Sequence, residues 1–215
     1  NIDERKVCLG LLQSAYWDKR QLNFIVLPTM DCMFRCKYCY ENKDHEAIDE
    51  NFMDDFAEAI RTYHLRNRLK NLSIEWYGGE PLMVYEKIVD FTKNLNHFCE
   101  TENIEHTYSM TTNGYLLSFD QAKTLIEMGI RKFQITVDGV KETHDKLRPH
   151  KNGNGTWNTI IENLLALKNS ALDFHVMIRV NYDTEVVERI SEFYKFVKDN
   201  FDDRFTVFHH VISKW

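Results

Sequence analysis

The sequence contains no long basic run, and its formal net charge is −6 over 215 residues. Nucleic-acid binding needs clustered positive charge, so no nucleic-acid partner is expected. No apolar stretch approaches the roughly 18 residues of a membrane-crossing helix, and no signal-peptide pattern occurs. No membrane partner and a cytoplasmic location are therefore expected. There is no internal repeat and no low-complexity segment. Cysteine is sparse but unevenly placed: Cys8, Cys32, Cys36, Cys39 and Cys99, with none after Cys99. An odd count with three clustered does not read as a disulfide framework; in a reducing compartment such a cluster points to metal or catalysis.

What is present suits one sizeable domain with a real core. Hydrophobic residues make up 43% and charged residues 28%, as in soluble globular chains. Short β-branched or aromatic runs alternate with amphipathic segments. "LNFIVLP" (22–28), "NLSIEWYGGEP", "EHTYSMTTNG", "RKFQITVDG", "DFHVMIRVN" and "RFTVFHHV" read as six strands. Helices are expected over 50–67, 84–100, from Ser118 to Gly129, over 156–169 and over 184–200. Ser118 with Gln121 makes a capping-box pattern. "KNGNG" (151–155) reads as loop.

Strand–helix alternation implies an α/β fold with a parallel sheet. Six units suggest a partial (β/α)6 TIM-type barrel with parallel strands; a doubly wound sheet is the alternative. The unusual residues favour the barrel, because they all fall just after strands. The cysteines follow strand one, "GGEP" strand two, "TTNG" strand three and "VDG" strand four. That rim is where such barrels build their sites.

Thiolates are soft ligands that suit zinc or an iron–sulfur cluster. Structural zinc needs four ligands, and His45, six residues past Cys39, is a candidate fourth. A cubane cluster normally takes four cysteines, so three leave one iron open. "GGEP" (78–81) also reads as a strand-to-helix turn with Pro81 at the first helical position. Arg148 could simply pair with Asp145 on the surface. His144 reads as a loop residue. His209 and His210 fall on opposite faces of the last strand, both structural. Trp76, Trp157 and Cys99 read as core, and Cys8 as a spare thiol.

C-x3-C-x2-C with Tyr38 before the last cysteine resembles the signature of the radical S-adenosylmethionine (SAM) family. The resemblance implies that Cys32, Cys36 and Cys39 hold a [4Fe–4S] cluster whose open iron is chelated by SAM. An electron from the cluster would then cleave SAM to methionine and a 5′-deoxyadenosyl radical, which takes a hydrogen from substrate. It further implies that Gly78, Gly79 and Glu80 bind the SAM amino group, glycines by close backbone approach and the carboxylate by charge. Thr111, Asn113, Thr136 and Asp138 occupy the matching rims of strands three and four. Thr136 would contact the SAM ribose or carboxylate, and Arg148 its carboxylate. Arg179, with Asn181, is a further candidate on strand five.

"CKYCYE", "YGGEP", "TTNG" and "TVDGVKETHDKLRPHKNGNGTW" together look like the peptide- and protein-modifying branch with SPASM or twitch extensions, which includes anaerobic sulfatase maturases. The resemblance implies a peptide or protein substrate, possibly bearing a leader sequence, and an electron donor such as flavodoxin or ferredoxin. Residues 1–21 are expected to form a lead-in segment and 22–215 the core domain, truncated before a C-terminal auxiliary-cluster domain. Auxiliary [4Fe–4S] clusters are expected only with that domain. A small-molecule radical SAM enzyme and a non-catalytic zinc-binding interaction domain are the alternatives.

Overall fold

The structure is a computed structural model and describes Lys6, residues 18–41 and residues 51–212. Cys8, His45 and most of the expected lead-in segment lie outside the described residues. Six parallel strands form one sheet in sequence order: β1 (Gln21–Val26), β2 (Asn71–Trp76), β3 (Glu105–Thr112), β4 (Ile130–Thr136), β5 (His175–Tyr182) and β6 (Phe205–Val211). Each described strand-to-strand step carries helix: α1 (Phe52–Asn67), α2 (Tyr85–Thr101), α3 (Phe119–Glu127), α4 (Lys141–Leu147), α5 (Trp157–Lys168), α6 (Thr184–Glu188) and α7 (Ile190–Asn200). This is the expected α/β partial barrel.

The two faces of the sheet differ in chemistry. On β2, Leu72, Ile74 and Trp76 are buried, and the Trp76 ring meets Phe91 of α2 edge-on. On β5, Val176, Ile178 and Val180 are buried in the same cluster. This outer face is the core, and each buried side chain of that size contributes about 2 kcal/mol. The alternate residues, among them Glu75, Thr111, Gln134 and Arg179, remain half-buried on the inner face. Strand period two places polar residues there in register, with Thr111 opposite Gln134 and Thr136 opposite Arg179. A packed barrel interior would be apolar, so this lining belongs to a surface that meets solvent or ligand.

Local chemistry explains one helix start directly. The Ser118 hydroxyl accepts from Gln121 N at 3.4 Å and caps α3. The reciprocal half of the capping box does not form, and Gln121 Oε1 is buried without a partner among the described residues. Two helical assignments change. The segment 184–200 is not one helix: Arg189 sits at φ −112°, ψ 11° and divides α6 from α7. Helix α4 was not anticipated; seven mostly polar residues carry too little periodicity to announce it.

Candidate cofactor site at the carboxyl ends of the strands

The cysteine loop follows β1 and is clamped by two other segments. On one side it pairs with the chain after α4. Arg35 N donates to Pro149 O at 2.8 Å, Lys37 N to Leu147 O at 2.9 Å and Lys151 N to Met33 O at 2.7 Å. Phe34 and His150 form an antiparallel bridge there, and the Phe34 side chain is fully buried. On the other side lies the glycine turn after β2. Gly79 N donates to Thr29 O at 3.0 Å and Glu80 N to Asp31 O at 2.8 Å. A Cβ on Gly79 would lie 2.3 Å from Asp31 O and 2.4 Å from Met30 O, all backbone. Gly78 has φ +108° and would meet Thr29 O at 2.5 Å. The glycines are thus required by the cysteine loop itself, which approaches too closely for any side chain.

Cys32, Cys36 and Cys39 open onto one cavity of about 630 Å³. The cavity touches the carboxyl ends of the strands, with Gly78, Gly79, Thr111, Asn113, Thr136, Arg148, Arg179 and Asn181 in its wall. Its size is that of a small-molecule site. Phe34 N and Asn113 Nδ2 point at Cys32 Sγ, at 3.4 and 3.8 Å. Burial pushes the Cys32 thiol up, and the Phe34 N–H draws it back. Among the described residues, no three His, Cys, Asp or Glu side chains come together as a ligand set for a single metal ion.

Two expected binding residues do not line the cavity. Glu80 is fully buried, and its carboxylate accepts from Leu82 N at 3.0 Å, Thr112 Oγ1 at 2.7 Å and Asn113 N at 2.7 Å. Burial pushes this carboxyl up, and the three bonds oppose the shift. In this structure Glu80 ties the glycine turn to the end of β3. Asp138 is also fully buried. It accepts from the Tyr38 hydroxyl and from Asn181 N at 2.8 Å, so it too stands behind the wall.

Tyr38, which lines the cavity, is the hub that ties these buried residues to the wall. Its hydroxyl also accepts from Arg148 Nη1 at 2.7 Å and Asn181 Nδ2 at 3.0 Å. Burial pushes the phenol up and, less the pull of Arg148, keeps it neutral. Burial likewise raises Asp138, opposed by Arg148 and by its bonds. Arg148 stays charged: burial disfavours the cation, but Tyr38, Cys36 and Asp138 together outweigh it. Its guanidinium lies 5.6 Å over the Phe34 ring, and its Nε is buried without a partner among the described residues. The surface pair with Asp145 does not form; Asp145 instead accepts from Thr156 N and Trp157 N and starts α5.

The remaining candidates sort plainly. Thr111 donates to Glu75 at 3.1 Å. Arg179 Nε donates to Asn181 Oδ1 at 3.0 Å. His210 faces the cavity while His209 meets Tyr194, the opposite-face arrangement expected for adjacent strand residues. His144 is not a loop residue but a fully buried part of α4. Tyr77, Gln134 and Tyr40 also line the cavity and were not singled out in the sequence; the half-polar alternation of β4 was the available signal for Gln134.

The family model for the radical SAM superfamily matches residues 26–197. The chain belongs to the radical SAM superfamily. The cysteine-type anaerobic sulfatase-maturating enzyme of Clostridium novyi (strain NT) is 30% identical over 199 residues, covering 88% of this chain and 51% of that protein. The GTP 3′,8-cyclase of Clostridium perfringens (strain SM101 / Type A) is 34% identical over 128 residues, covering 59% of this chain and 38% of that protein. The solved structure of native anSMEcpe with bound AdoMet and Kp18Cys peptide shares the fold, with a TM-score of 0.72 and 20% identity, covering 90% of this chain and 52% of that one. The chain spans about half the length, or less, of these curated relatives. Among the described residues, no helix is long and apolar enough to cross a membrane.

Proposed function

We propose that this chain is the core of a radical SAM enzyme that modifies a peptide or protein. In this reading Cys32, Cys36 and Cys39 hold a [4Fe–4S] cluster, and the adjoining cavity takes S-adenosylmethionine. The observation that carries it is the donor set around one cavity. Three thiols share it with a buried arginine whose Nε–H has no partner among the described residues. Soft sulfur for iron and a desolvated cation for a carboxylate are what these two groups need.

The bound pair would supply one-electron chemistry, a reductive cleavage of the sulfonium that ends in hydrogen-atom abstraction from substrate. The chain's own residues prepare the place. Asn113 and the Phe34 N–H direct donors at Cys32, which favours the thiolate. Arg148, held by Tyr38, offers charge to a carboxylate, and the Thr136 hydroxyl, in the wall of the same cavity, is available for a ribose or carboxylate oxygen. Glu80 fixes the glycine turn so that the backbone of Gly78 and Gly79 edges the cavity. The polar inner face, with Glu75, Thr111, Gln134 and Arg179, provides the surface on which substrate would lie. An electron donor such as flavodoxin or ferredoxin is required by the reduction. Auxiliary clusters would depend on residues beyond those present in this chain.

The sulfatase-maturating relative and the peptide-bound structural neighbour support a peptide or protein substrate. The match to a GTP cyclase favours a second reading, a small-molecule substrate. The test is to incubate the reconstituted full-length protein with SAM, reductant and either peptides encoded beside its gene or GTP. Stimulated 5′-deoxyadenosine formation with a mass change in a peptide supports the first reading. Stimulation by GTP alone replaces it with the second.

A further inference from the structure

We propose that His144 is a positioning residue that sets Arg148 for its ligand, acting through Thr156 and touching no cofactor itself. The proposal rests on the reading of Arg148 given above. His144 lies fully buried in α4, between the turn after β4 and the start of α5.

The ring has one possible hydrogen-bond direction. Asp138 N–H donates to His144 Nδ1 at 3.1 Å, so Nδ1 carries no proton. The neutral ring must then carry its proton on Nε2, which lies 3.0 Å from Thr156 Oγ1. Nε2–H therefore donates to the threonine oxygen, and the single Thr156 proton goes to Arg148 O at 2.8 Å. The string runs from Asp138 through His144 and Thr156 to the Arg148 carbonyl without a break or a choice.

The same helix holds the other side of the peptide. Arg148 N donates to His144 O at 2.7 Å. Both backbone polar groups of Arg148 are thus fixed by residue 144, one directly and one through Thr156. Burial, with the nearby Arg148 charge, drives the imidazole well below its ordinary pKa and keeps it neutral. A neutral ring is the form that can accept from Asp138. The arginine side chain is long, so where its guanidinium sits depends on where its backbone is held. Errors of about 1 Å at such a group cost about a hundredfold in the reactions that depend on it.

The test measures binding rather than turnover. The cluster-reconstituted full chain is dialysed to equilibrium against radiolabelled SAM, with iron content as a control. His144→Leu breaks the string; His144→Gln retains an N–H able to reach Thr156. The Leu variant is expected to bind SAM about tenfold more weakly with unchanged iron content, and the Gln variant to recover most of the loss. In an Arg148→Lys background the Leu change should add nothing further, since its route is already removed. Equal affinity losses in both backgrounds, or no loss beside a wild type that binds, overturn this proposal alone. A wild-type chain that binds no SAM overturns the site reading and this proposal with it. If His144→Leu does not fold, Thr156→Val cuts the same string, and an unchanged affinity there is equally fatal.

Discussion

Arg148 donates through Nη1 to the Tyr38 hydroxyl at 2.7 Å, joining residues 110 positions apart in the chain. The bond links the cysteine loop to the segment after α4, so the two parts of the candidate site cannot move independently. Tyr38→Phe keeps the ring and removes the oxygen. Arg148, Asp138 and Asn181 each lose a partner while staying buried. Unsatisfied buried groups of this kind cost about 2 kcal/mol, and more where a charge is involved. Urea unfolding should therefore show Tyr38→Phe less stable than wild type by about 2 to 3 kcal/mol. An unchanged midpoint would show that the hub contributes nothing.

A rim glycine and a loop glycine should respond differently to alanine. At Gly79 the new Cβ meets two backbone oxygens within 2.4 Å, and neither can rotate away. Gly79→Ala should cost about 3 kcal/mol and reduce iron uptake, because the cysteine loop must shift. Gly153 has φ +86° but nothing within 4 Å. Gly153→Ala should cost only about 1 kcal/mol, the strain of a left-handed residue, and leave iron uptake intact. Similar losses at both sites would mean that the close approach is not what the glycine is for.

Much of this architecture was legible in the sequence, for a physical reason. β-branched and aromatic runs of strand length are hard to satisfy in any other setting, so all six strands appeared as short runs. The candidate positions at strand ends stood out because three cysteines in one loop have few structural uses, whereas Gly, Asn and Asp there are also ordinary turn residues. What stayed hidden depends on three-dimensional neighbours. No local pattern shows that Phe34 bridges His150, or that Gly79 must clear Asp31. Glu80 and Asp138 looked like ligand groups because charge suggests contact. Burial and competing hydrogen bonds place them behind the wall instead. His144 looked bland because α4 is too short to have a period.

The neutral state of His144 gives a pH signature. Its folded pKa is depressed below the ordinary 6.5, so below that pH the unfolded chain binds a proton that the folded chain does not. Stability from this group is complete above about 6.5 and is lost as pH falls. Glu80 and Asp138 are raised and act in the opposite sense at lower pH, so the comparison must be with His144→Gln. Between pH 7 and pH 5 the wild type should lose stability relative to that variant. Urea unfolding at the two pH values checks it; parallel losses would mean the imidazole titrates normally in the fold.

Cys36→Ala should remove the cluster and leave the outer core untouched. Iron content is expected to fall from about four per chain to near zero, with 5′-deoxyadenosine formation abolished. Far-ultraviolet circular dichroism should stay as in wild type, since half-buried Cys36 only borders the core. A variant that still cleaves SAM would refute the ligand assignment.

The most direct measurement is anaerobic reconstitution of the wild-type chain with iron and sulfide, followed by metal counting and absorbance. The cluster assignment predicts about four irons and four sulfides per chain, with a broad band near 400 nm, and 5′-deoxyadenosine on adding SAM and reductant. A colourless protein holding one tightly bound zinc and no sulfide would contradict it.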